Sequence, residues 1–94
     1  MATLEEFLNR AIVPCEFLLA LDVEAADARA TLDTTLQTLR SLNEDFEEST
    51  MPGGKPGWFA MSSLMKMSMA FCKEPSDRTR EHLVEALENA REHA

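Results

Sequence analysis

All three glycines of this 94-residue chain, and two of its four prolines, fall within residues 52–57. Gly and Pro are the strongest local breakers of regular structure, so a chain that gathers them in one place has one clear loop with long regular elements on either side. The loop here is Ser49-Thr50-Met51-Pro52-Gly53-Gly54-Lys55-Pro56-Gly57. The flanking elements read as helices, because Tyr is absent and β-branched residues are few, whereas Ala, Leu, Glu and Met are plentiful.

The spacing of apolar residues divides the chain into four segments. Thr3-Leu4-Glu5-Glu6 forms a capping box, which starts a helix near Leu4. From there Leu4, Phe7, Leu8, Ala11, Ile12, Cys15, Leu18, Leu19 and Leu21 share one half of the helical wheel. Pro14 removes the hydrogen bond to Arg10, so 4–21 is either one kinked helix or two short ones that share a face. Continuing that phase would put Asp22 and Arg29 on the apolar side, which makes Asp22 the expected break. A second phase fits Ala25, Ala28, Leu32, Leu36, Leu39, Leu42 and Phe46, and predicts a helix over 23–48. After the loop, 58–73 carries an apolar arc of about 200° that includes Ala60, Met61, Leu64, Met65, Met67, Met69, Phe71 and Cys72, with Trp58 at one edge. Glu74-Pro75 ends it, Ser76 caps the next helix, and that helix runs over 77–92 with Leu83, Val84, Ala86, Leu87 and Ala90 inward. The expectation is an all-α fold: a small antiparallel four-helix bundle, two helical hairpins joined by the Gly/Pro loop, in a single helical domain over 1–94.

Several function classes lack the residues they need. No apolar run approaches the roughly 18 residues of a membrane span, and Glu5 and Glu6 stand where a secretory signal carries positive charge, so a cytoplasmic protein without membrane contact is expected. Cys15 and Cys72 both lie on apolar helical faces and are expected to be free, buried thiols. Gly53-Gly54-Lys55-Pro56-Gly57 superficially resembles a phosphate loop, but Pro56 stands where Ser or Thr would hold magnesium. His82 and His93 are eleven residues apart, about 16 Å of helix, too far to share one metal ion. No nucleophile sits in a recognisable catalytic setting either. We therefore expect no enzyme activity, no catalytic or metal-binding residues and no cofactor.

Charge is the most informative feature left. Residues 1–49 hold eleven acidic and three basic side chains, net −8, while residues 50–94 hold six of each. The densest part, Glu44, Asp45, Glu47 and Glu48, falls at the C-terminal end of the second helix, where carboxylates oppose the macrodipole and each costs roughly 0.3 to 1 kcal/mol. Helix stability does not explain them. They form either a solvated, solubilising face or a docking patch for a protein partner with a basic surface, and the same charge repels nucleic acid from direct binding. The functional expectation is a non-enzymatic acidic helical binding protein, in the form of an inhibitor, an immunity protein, an adaptor or a mimic of nucleic acid. The alternative is a structural subunit that forms a homodimer through the Met-rich third helix, with Trp58, Met61, Met65 and Met69 as the apolar interface. The width of that helix's arc fits equally a central helix enclosed by its neighbours.

Overall fold

The structure, a computed structural model, describes residues 3–49 and 56–94. It contains four helices, α1 Leu4–Ala20, α2 Ala28–Glu48, α3 Pro56–Lys73 and α4 Asp77–His93, and no strand among the described residues. The central part of the Gly/Pro loop, 50–55, lies outside the described residues, and with it Met51 and the Gly53-Gly54-Lys55 stretch.

Local chemistry sets several of the helix ends. The Thr3 hydroxyl accepts from the Glu6 amide at 3.2 Å, which satisfies one of the free donors at the start of α1. The return bond expected from the Glu6 carboxylate is not made among the described residues. Pro14 sits inside α1, which is one continuous helix rather than two. Beyond Ala20 the backbone turns. Asp22 Oδ1 accepts from the Glu24 amide at 3.1 Å, and the Ala25 and Ala28 amides donate to the carbonyls three residues back. The Asp22 carboxylate thus offers the backbone a partner that competes with helix, and α2 begins at Ala28 rather than at Val23 as the sequence predicts. In α3 the helix starts earlier than predicted, at Pro56, because the fixed φ of proline suits a first helical position and its missing N–H is not needed there. Ser76 and Thr79 cap α4 reciprocally, with the Thr79 amide donating to Ser76 Oγ at 3.1 Å and the Ser76 amide to Thr79 Oγ1 at 2.9 Å.

The apolar phases read from the sequence point inward. Phe7, Leu8, Ala11, Cys15 and Leu18 of α1 are buried, as are Leu32, Leu36, Leu39, Leu42 and Phe46 of α2, and Leu83, Ala86, Leu87 and Ala90 of α4. Ala25, expected on this face, precedes the helix and is only partly buried. The wide arc of α3 is met from three sides: α3 packs against α1, α2 and α4, whereas α2 and α4 do not approach each other. Gly57 allows that convergence, since a Cβ there would come within 2.7 Å of Leu4 Cδ2 and 3.7 Å of His93 Cβ.

Two arginines tie the helix ends together. Arg29, in the first turn of α2, donates to the Cys72 carbonyl and, at 3.5 Å, to that of Lys73, both at the end of α3. Arg80 of α4 donates to the Leu19 carbonyl at the end of α1 at 2.8 Å. Carbonyls of the last helical turn have no intrahelical partner, so these guanidinium groups act as caps supplied from another helix.

Candidate docking site

Phe46 determines how the acidic end of α2 is presented. It is buried, and its ring meets Phe7 of α1 edge-on at 5.5 Å and Trp58 of α3 at 5.7 Å, with Phe59 a further 5.7 Å from Trp58. With one residue of the turn held in this aromatic row, its neighbours in sequence must point elsewhere. At about 100° per residue Glu44, Asp45, Glu47 and Glu48 fan over an arc of about 160° on the side opposite Phe46. All four are exposed. The sequence-predicted patch is thus brought together on one turn and anchored by the apolar residue inside it.

The four carboxylates face different neighbours. Asp45 turns toward α1 and lies 3.6 Å from Arg10, a pair in which both side chains are more than half exposed and which therefore contributes little to stability. Glu47 turns toward α3 and accepts from Asn43 Nδ2 at 3.3 Å. Glu44 and Glu48 point outward, and among the described residues no basic side chain lies within 4 Å of Glu44, Glu47 or Glu48. No basic residue occupies the last turn of α2, whose end is instead closed by Ser49, with its amide and hydroxyl both donating to the Phe46 carbonyl.

The predicted apolar interface divides. Met61 and Met65 are 0% and 1% exposed and belong to the core, whereas Trp58 and Met69 are partly buried. Trp58, Met65 and Met69 line a cleft of about 450 Å³ between α2 and α3, with Phe46 in its wall, Glu47 and Asn43 on one lip, and Lys66 and Lys73 on the other. Met61 takes no part in it. The two sets of residues singled out in the sequence therefore adjoin, and Glu47 belongs to both surfaces.

Chemistry-bearing residues elsewhere are dispersed or shielded. Cys15 and Cys72 are free and buried. Burial pushes the Cys15 thiol up to about 12, partly offset by the neighbouring Ser68 hydroxyl, and pushes Cys72 to about 11 against the lowering influence of Arg29. Both are protonated at neutral pH and are poor nucleophiles. His82 and His93 are exposed, and among the described residues no three His, Cys, Asp or Glu side chains are grouped to hold a metal ion. None of the helices is long and apolar enough to cross a membrane.

No family model, curated protein or solved structure matches this chain. What the protein does has to follow from its own surfaces, since a helical fold alone carries no function. Those surfaces also include two residues that the sequence reading left out, Val13 and Phe17, which are 67% and 50% exposed on α1. Their signal was an apolar pair one turn apart on the polar side of the wheel.

Proposed function

We propose that this protein is a non-enzymatic acidic binding module, cytoplasmic, that docks on the basic surface of a protein partner as an inhibitor, immunity protein or nucleic-acid mimic does. The observation that carries this reading is the end of α2: four exposed carboxylates spread around an aromatic anchor, in the one place on the helix where the macrodipole disfavours them. Placement that weakens the helix is understandable if a basic surface receives the charge, and complementary charge of this kind speeds association more than it deepens affinity. Two buried free thiols suit a reducing compartment. The contacts between helix ends support a chain path of two antiparallel hairpins, because the last turn of α2 meets the first turns of α1 and α3, and the first turns of α2 and α4 reach the ends of α3 and α1.

The test replaces Glu44, Asp45, Glu47 and Glu48 by Gln or Asn. Helical signal and unfolding midpoint are expected to hold or rise slightly, while association with a basic probe such as oligolysine slows at low ionic strength. A variant that associates at the wild-type rate in both low and high salt would reduce the cluster to a solvated face. Homodimerisation through α3 stands as the second reading, favoured by Phe59, which is 58% exposed with its ring 5.7 Å from that of Trp58. Sedimentation that shows a dimer disrupted by Phe59→Ser, and left intact by loss of the carboxylates, would select it.

A further inference from the structure

Phe17, exposed one turn after the exposed Val13 on the same side of α1, lies beside an unusual face of α2. Phe17 shares a shallow cleft of about 380 Å³ with Ala30, Thr31, Thr34 and Thr35. The threonine hydroxyls along this seam are already committed: Thr31, Thr34, Thr35 and Thr38 each donate to the carbonyl four residues earlier, at 2.8 to 3.3 Å. A threonine whose hydroxyl is turned into the helix presents its methyl group outward, so the face is more apolar than its composition suggests. Charge appears at its two ends. Asp27 and Asp45 lie on the same side of α2, eighteen residues and so about 27 Å apart, with Asp22 and Glu24 in the turn beside the first and Glu48 beside the second. Arg10, which borders the seam, is engaged by Asp45 at 3.6 Å and lies over the Phe7 ring.

We infer that the α1–α2 seam seats a basic amphipathic helix of a protein partner, whose apolar side chains cover Val13 and Phe17 and whose lysines or arginines fall at two places about 27 Å apart. This rests on the reading that the acidic first half receives a basic partner, and it names the segment that binds and the apolar contact that anchors it. Charge selects this occupant. A second copy of the chain would set the net −8 of residues 1–49 against itself, and an anionic membrane or nucleic acid would meet the same repulsion. A partner with charge alone would leave the Val13–Phe17 ridge uncovered, whereas a helix with an apolar face between basic ends covers the ridge and meets the carboxylates at both ends.

The test uses a labelled 22-residue synthetic helical peptide with leucines along one face and lysines in its first and last turns, about 27 Å apart, beside a control in which serine replaces every leucine. Fluorescence anisotropy is read with the wild type, with Val13→Ser/Phe17→Ser, with Val13→Ser alone at the more exposed position, and with Met69→Ser in the α2–α3 cleft. The wild type is expected to bind the leucine peptide about tenfold or more tightly than the serine peptide; the double variant should lose that difference, the single variant part of it, and Met69→Ser none of it. Equal binding of the two peptides, unchanged binding by both ridge variants, or loss of the difference in Met69→Ser would overturn the seam while leaving the basic-partner reading standing. If neither peptide binds the wild type at low salt, both fall.

Discussion

Arg29 and Arg80 each do with one side chain what a C-terminal glycine does in many helices. Neither α1 nor α3 has a Gly at its end, and the last turn of α1 holds no basic residue of its own, so its carbonyls are left for a group from elsewhere. Arg29→Gln and Arg80→Gln are each expected to lower the unfolding free energy by about 1 kcal/mol, a figure already reduced for solvent screening because both side chains are exposed, and urea unfolding measures it. Arg29→Lys should recover only part of the loss, since a single ammonium cannot reach the Cys72 and Lys73 carbonyls and Asp33 together. The buried thiols add a pH dependence. Their folded values, about 12 for Cys15 and about 11 for Cys72, lie above the ordinary 9.0, so the stability they contribute is fully present below pH 9 and is lost as pH rises toward 11 to 12. The unfolded chain releases protons in that window that the folded chain still holds. Stability should accordingly fall from pH 9 upward, by as much as about 1.4 kcal/mol per pH unit for each thiol, and Cys15→Ala/Cys72→Ala should fall less steeply. Equal slopes for the two proteins in denaturant titrations at pH 8 to 10.5 would contradict this account.

Among the elements, α2 carries the most conflict between local preference and placement. It has four threonines with back-bonded hydroxyls in its first half and four carboxylates at its C-terminal end, each a feature that weakens an isolated helix. Burial of its leucine stripe and of Phe46 holds it. Phe46→Ala should therefore do more than open a cavity: a loss of about 3 to 5 kcal/mol is expected, with the acidic turn freed from its aromatic anchor. Trp58, the single tryptophan of the chain and 5.7 Å from the Phe46 ring, reports the change, and its emission should shift to longer wavelength as water reaches it. An unchanged spectrum in a folded Phe46→Ala variant would mean that the row does not organise this end of the molecule. The opposite case is α4, which is the least apolar helix yet closely packed on α3, because its inward residues Ala86 and Ala90 are small and Gly57 and Ala60 leave room on α3.

At the scale of the molecule, the helices form an elongated body of 41 × 22 × 16 Å with α3 in contact with all three others and α2 and α4 on separate flanks. The net −8 of residues 1–49 belongs to α1, α2 and their connection, so the field is carried by one half of the fold. Exposed charge of one sign steers an oppositely charged partner over a distance set by the Debye length, about 30 Å at 0.01 M salt and 10 Å at 0.1 M. Association of the wild type with oligolysine should slow by roughly tenfold between those two salt concentrations, as stopped-flow fluorescence can measure, and the α2-neutralised variant should show a weaker dependence. A salt-independent rate would remove steering from the account.

The sequence by itself determined the four helices, the inward faces of α1, α2 and α4, and the grouping of Glu44, Asp45, Glu47 and Glu48, because each follows from spacing along one helix and from breakers gathered in one loop. The late start of α2 was less legible, since it turns on a single Asp22 side chain competing for the Glu24 amide. Tertiary structure alone decided the fate of the α3 arc. A wheel shows that Met61, Met65 and Met69 share a side, but only the positions of α1, α2 and α4 bury the first two and leave the third partly exposed, in a cleft that Met65 and Trp58 also line. It likewise decided that Phe17 meets the methyl face of α2, and that Arg29 and Arg80 close helices forty-three and sixty-one residues away in the chain. Periodicity encodes which side of a helix is buried; which neighbour covers it, and what remains uncovered, depends on contacts between segments far apart in sequence, which no local pattern records.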